Sequence, residues 1–142
     1  MKKLIIIAGI GLMGATAVYA QKINESKVPA AAKNAFMKQF PGVNAKWEKE
    51  GADFEAGFDK GGKKMSAVFA SDGSWKETET SIAVSALPTA AQQYVKKNYP
   101  SEKIKEAAEI KKANGSIVYE AEIKGGDLLF DQNGTFIKSS KD

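Results

Sequence analysis

The sequence repeats itself, and the repeat limits the folds open to it. Residues 28–41 align without gaps on residues 87–100, an offset of 59. Val28-Pro29-Ala30-Ala31-Ala32 matches Leu87-Pro88-Thr89-Ala90-Ala91; two aromatics follow in each copy (Phe36 and Phe40, Tyr94 and Tyr99), then Pro41 or Pro100. Further on, Phe54-Glu55-Ala56-Gly57-Phe58 matches Tyr119-Glu120-Ala121-Glu122-Ile123, and Gly61-Gly62 matches Gly125-Gly126. The stretch from Phe69 through Asp72-Gly73 to Trp75 matches that from Phe130 through Asn133-Gly134 to Phe136. The offsets drift through 65, 64 and 61, so short insertions fall between the matches. Two copies of such a unit indicate a duplication; a solenoid needs about three or more repeats to close its core.

Each unit opens as a helix. Pro29 and Pro88 suit a first helical turn, where a missing N–H costs little, and Ser26 and Ser85 stand upstream as expected caps. Ala32, Phe36 and Phe40, like Ala91, Val95 and Tyr99, recur every four residues and give one apolar stripe. Lys33, Lys38, Lys96 and Lys97 take the other side, and Pro41 and Pro100 stop the helices. The period then drops to two. Apolar residues alternate through 54–58, 65–69 and 117–123, the mark of half-buried antiparallel strands. Gly61-Gly62, Asp72-Gly73 and Asn133-Gly134 supply the turns, and weaker strands precede at about 43–49 and 104–111. The expected fold is α+β, a tandem of helix plus four-stranded antiparallel sheet. One sheet face packs on the helices and the other is left to solvent or a partner.

The first 20 residues stand apart. Met1-Lys2-Lys3 is basic, Leu4 to Val18 is uncharged and mostly apolar, and Val18-Tyr19-Ala20 offers small residues at minus three and minus one of a cleavage site. This layout predicts a secretory signal peptide cut after Ala20, the apolar run falling short of the roughly 18 to 20 residues of a bilayer span. The expected organisation is a signal peptide over 1–20, a linker over 21–27, a first repeat over 28–86 and a second over 87–142. The product is exported, periplasmic or secreted, and free of the membrane after cleavage. Loss of the segment removes two lysines and lowers the net charge from +4 to +2.

Composition narrows the chemistry. The chain has no His and no Cys, and all 21 of its basic residues are Lys. There is therefore no imidazole base, thiolate, disulfide or thiolate–imidazole metal site, and no guanidinium clamp. No cofactor is expected. A small net charge without Arg also argues against nucleic acid as a partner. Asp131-Gln132-Asn133-Gly134 has Gly at the fourth position instead of the sixth and no closing Glu, so it reads as a turn and not a calcium loop. Paired carboxylates at Glu77/Glu79 and Glu120/Glu122 allow acid–base work in principle; a solvated strand face is the favoured explanation.

The Pro-x-Ala-Ala helix with its aromatics, the aromatic-Glu-Ala strand and the Phe-x-x-Asp/Asn-Gly-x-aromatic hairpin together resemble the PepSY-like, beta-lactamase-inhibitor-like (BLIP-like) proteins exported by Gram-negative bacteria. The resemblance covers about residues 28–138. It implies a helix-plus-sheet tandem similar to the beta-lactamase inhibitory protein, whose sheet docks on an enzyme. That protein has disulfides, and this chain has no Cys. The shared motifs are structural and speak for fold before function.

The functional expectation is a non-catalytic exported module that binds a protein or peptide through the sheet face away from the helices. Strand alternation puts Glu55, Asp59, Ser66, Val68, Val118, Glu120, Glu122 and Lys124 there, four acids to one base, which suits a basic or amide-rich partner. Trp47, aligned with Glu106 by its distance from the preceding Pro and without an aromatic counterpart, is a candidate anchor. One alternative is an inhibitor of a periplasmic or secreted hydrolase, peptidase or beta-lactamase, with the Asp72 or Asn133 hairpin as its probe. A second is a small-ligand carrier, which needs a cavity that the aromatics do not fill.

Overall fold

In the computed structural model, residues 20–140 are described; the signal segment lies outside them except for Ala20. The elements run β1 (Gln21–Ile23), a 3₁₀ turn (Glu25–Lys27), α1 (Ala30–Gln39), β2 (Lys46–Glu50), β3 (Asp53–Lys60), β4 (Lys63–Phe69) and β5 (Trp75–Ile82). A second 3₁₀ turn (Val84–Ala86), α2 (Thr89–Asn98), β6 (Glu106–Lys112), β7 (Ile117–Ile123), β8 (Gly126–Asp131) and β9 (Phe136–Ser140) follow in the same order. All nine strands form one antiparallel sheet in sequence order, β1 to β9. The sheet is continuous because β5 pairs β6, Glu79 opposite Ile110 and Ser81 opposite Ala108. Residues 21–27, expected to be a linker, instead supply an edge strand. Ile23 lies opposite Trp47 and adds its side chain to the core.

The helices bury the stripe the periodicity predicts. Ala32, Phe36 and Phe40 in the first half, and Ala91 and Val95 in the second, are buried, and Tyr99 is half-buried. The expected serine caps are not used. Ser26 and Ser85 sit within the 3₁₀ turns, and the helices begin after Pro29 and Pro88, neither of which makes a side-chain capping bond. Each serine thus lies three residues ahead of the position that precedes its helix, Pro29 or Pro88. Near α2 the side chain of Gln92 reaches back, Nε2 donating to the Leu87 carbonyl at 3.0 Å.

Each helix packs on its own part of one sheet face. Under α1, Phe36 meets Trp47 edge-on at 5.6 Å and Phe58 at 5.2 Å, and Phe40 lies 4.6 Å from Phe58. Under α2, Tyr94 stacks on Phe136 at 4.6 Å and meets Phe130 edge-on at 5.6 Å. Burying each such ring contributes about 1.5–3 kcal/mol, so these clusters dominate the stability of both halves. Trp47 is 5% exposed within the first cluster. It is therefore core and not a surface anchor. The strand register also corrects its alignment: Trp47 faces Ala56 as Ala107 faces Ala121, so its counterpart is Ala107 and not Glu106.

The two hairpins suggested as probes are tied to the helices. Gly73 has φ +89°, and a Cβ there would lie 2.8 Å from the Ala31 carbonyl oxygen; Gly134, at φ +84°, would meet the Ala91 nitrogen at 2.8 Å. Only glycine allows both the backbone conformation and this close approach. Asp72 Oδ1 accepts from the Ser74 amide, and Asp131 Oδ1 accepts from the amides of Asn133 and Thr135. Asp131 thus closes its own turn. Asp72 and Asn133 are exposed at the tips, but the turns that carry them seat against the starts of α1 and α2.

Candidate binding face on the uncovered side of the sheet

Strand pleating sends alternate side chains to opposite faces, so the register defines what the face away from the helices carries. One row across it runs Lys22, Glu48, Glu55, Val68, Glu77, Lys112. The next runs Lys46, Gly57, Ser66, Glu79, Ile110, Val118, Asp131. A third continues from Ser81 through Ala108, Glu120 and Leu129 to Lys138. A β-bulge interrupts β4–β5 after Val68 and β8–β9 after Leu129, at matching places in the two halves. Such bulges add local twist and re-aim the residues beyond them.

The structure brings most of the expected face residues together. Glu55, Val68 and Glu120 are buried on this face, with Ser66 beside them, and Val118 and Glu122 are half-buried. Asp59 is exposed near the end of β3, and Lys124 is exposed in the β7–β8 turn. Trp47 is the exception, pointing into the core on the opposite face.

The face is not the solvated surface expected of it. Glu79 is 2% exposed, Glu55 6%, Glu120 8% and Glu77 9%. Burial pushes the Glu55 carboxyl up to about 8, the charge of Glu50 adding to it. Burial, then Glu77, lifts Glu50 to about 7. Glu77 is raised by burial, with Lys112 opposing the shift. Glu79 is held well above the ordinary carboxylate range by burial first, then by the nearby charges of Glu120 and Glu55. A carboxylate stripped of water and placed beside its like resists ionisation. At the margin of the group, Asp53 is paired with Lys76, Nζ to Oδ2 2.6 Å.

Glu50, Glu77 and Glu79 were not among the expected binding residues, because alternating acids on a strand look like solvent-facing charge. The signal that reveals them is register: only when β2 to β7 are laid side by side do the acids of different strands fall together. A shallow depression lined by Glu77, Ile110, Lys112, Val118, Glu120 and Leu129 opens beside them, with room of about 10 Å³, enough for one water-sized group. Among the described residues, no group of three or more acidic side chains is assembled closely enough to hold a metal ion.

Residues 52–138, from the turn before β3 through most of the last strand, match the family described as "Putative beta-lactamase-inhibitor-like, PepSY-like". Among solved structures, a "putative periplasmic" protein from Bacteroides eggerthii superposes with a TM-score of 0.73 at 15% identity, over 80% of this chain and 88% of that one. A DUF2874 family protein from Bacteroides uniformis gives 0.71 at 16% identity, over 80% and 88%. A BLIP-like protein from Bacteroides fragilis gives 0.60 at 21% identity, over 80% and 86%. No curated protein matches the sequence. At these identities the likeness shows a shared fold, and neither the family description nor these structures' descriptions names a catalytic activity. The sequence match, which spans well over half of the chain and includes both hairpins, together with the shared two-helix, single-sheet fold, places the chain in the beta-lactamase-inhibitor-like, PepSY-like family.

Proposed function

We propose that this protein is a non-catalytic exported binding module, built from a tandem duplication, that engages a protein or peptide through the uncovered face of its nine-stranded sheet. The observation that carries this is the state of that face. Taking a charged group out of water is costly, and four glutamates are withdrawn from water here on a side that no helix among the described residues packs against. The fold tolerates that cost where a surface is kept for something other than stability. The repeated element order and the matching bulges support the duplication. Export is supported by the basic–apolar–small layout of residues 1–20 and by related structures described as periplasmic; among the described residues no helix is long and apolar enough to cross a membrane.

The test is recovery of a partner from periplasmic extract by the immobilised protein, beside a Glu120→Lys/Glu122→Lys variant. A partner held by the unaltered chain and lost by the variant supports the sheet face. Equal recovery by both places the contact elsewhere.

Inhibition of a hydrolase is the second reading, favoured by the likeness to a BLIP-like structure. Because the Asp72 and Asn133 hairpins are seated on the helices, such an inhibitor would use the sheet face and not a projecting loop. Assays against class A beta-lactamases and serine peptidases decide it, and no inhibition at micromolar protein ends it.

A further inference from the structure

The first strand of the sheet starts where the export signal ends. Val18-Tyr19-Ala20 forms the expected cleavage site, and β1 begins at Gln21, the residue that follows it. Cleavage there leaves no linker between the new chain end and the fold. In β1, Gln21 lies opposite Lys49, Lys22 opposite Glu48 and Ile23 opposite Trp47. The strand stands at one edge of the sheet with β2 as its neighbour. Gln21 is exposed at this edge, whereas Ile23, two residues on, packs against the core under α1.

Glutamine at a chain end carries its own electrophile. Near neutral pH part of an α-amine population is unprotonated and nucleophilic. From glutamine that amine reaches the carbon of its own side-chain amide through a five-membered ring, which closes with little strain. A cut one residue to either side would leave Ala20 or Lys22 at the end, and neither side chain offers a carbonyl to attack.

We propose that Gln21 is a modification site: once the chain is cut after Ala20, the Gln21 α-amine closes on its own side-chain amide, and the exported protein begins with a pyroglutamate ring. This inference rests on the export reading and fixes the chemistry of the mature chain end. In the step the α-nitrogen bonds to Cδ, the Cδ–Nε2 bond breaks, and Nε2 leaves as ammonia with a proton from the α-amine. No oxidant, reductant or second substrate enters. The ring removes the positive charge of the terminus and with it the primary amine by which an aminopeptidase grips a chain. Chain ends are where fraying and proteolysis concentrate. Here the loss of Gln21 and Lys22 would bring the next cut to Ile23, the residue that lies opposite Trp47.

The test is the chemical state of the chain end. The full chain is exported by a Gram-negative host, purified from the periplasm and held overnight in neutral buffer. Its primary amines are tagged by reductive methylation before digestion, so that a ring formed during digestion is not counted. Cleavage after glutamate then releases the peptide Gln21–Glu25. The expected peptide carries a tag on Lys22 alone and is lighter by one ammonia. Gln21→Asn, one methylene shorter, would have to close a four-membered ring, so its peptide is expected to carry tags on residue 21 and on Lys22. Ammonia lost equally from the Gln21→Asn peptide would place the loss at Asn24 and overturn the inference. A tagged α-amine on Gln21, or a chain cut so as to start at another residue, also overturns it and leaves export standing. A chain that keeps residues 1–20 overturns the export reading itself.

Discussion

Trp47 and Ala107 hold the same place in the two halves, each opposite an alanine on the next strand, Ala56 and Ala121. The first core fills this position with an indole against Phe36 and Phe69, and the second leaves it to a methyl group, in line across the sheet with Ala121 and Leu128. Trp47→Ala is expected to cost about 3–5 kcal/mol, the usual range for removing a large buried aromatic, as a lower urea midpoint. A loss below about 1 kcal/mol would mean that Trp47 is not the packed core residue described.

The hairpins are held against the helix starts by the absence of a side chain. Gly73→Ala and Gly134→Ala each force a Cβ into backbone at 2.8 Å, while Gly115, with a similar φ of +85°, has nothing within 4 Å of the same atom. Gly115→Ala is expected to show only the backbone penalty of about 1–2 kcal/mol, and the other two substitutions clearly more. Equal losses at all three positions would show that the hairpins do not press on α1 and α2.

Stability is expected to fall as the pH rises. Glu55 has an ordinary value of 4.5 and is raised to about 8 in the folded chain, and Glu50 is raised to about 7. The folded state therefore holds more protons than the unfolded one between about 4.5 and 8. That stabilisation is fully present below the unfolded value and is lost as the pH passes the folded one. Each such group steepens the fall by at most about 1.4 kcal/mol per pH unit. Urea midpoints should drop from pH 5 to pH 8, and Glu55→Gln should raise the midpoint at pH 8 while leaving it nearly unchanged at pH 5. Midpoints that rise over this window, with no effect of Glu55→Gln at pH 8, would contradict the buried carboxyl.

Much of the architecture was legible because it is written in local periodicity. The four-residue recurrence of Ala32, Phe36 and Phe40 and the alternation through Phe54, Ala56 and Phe58 state which side of each element is apolar. What those patterns lack is the relation between strands. Trp47 was misaligned because distance from Pro41 ignores the drift between repeats, while register, which depends on long-range pairing, puts it opposite Ala56. The edge strand at Gln21–Ile23 was missed because three residues carry too little alternation to distinguish a strand from a linker. The acidic face was half legible: alternation places Glu55 and Glu120 away from the helices, and only the pairing of β4 with β5 and of β5 with β6 gathers Glu77 and Glu79 around the same centre.

The sheet face can be tested by contact. A photo-crosslinking amino acid placed at Lys46 or Glu106, exposed on the uncovered face, is compared with the same group at Lys38 or Lys96, exposed on the helices. In cells that export the chain, the expected result is one discrete crosslinked partner from Lys46 and Glu106 and none from Lys38 or Lys96. Crosslinks to that partner from the helix positions alone would contradict a binding function for the sheet.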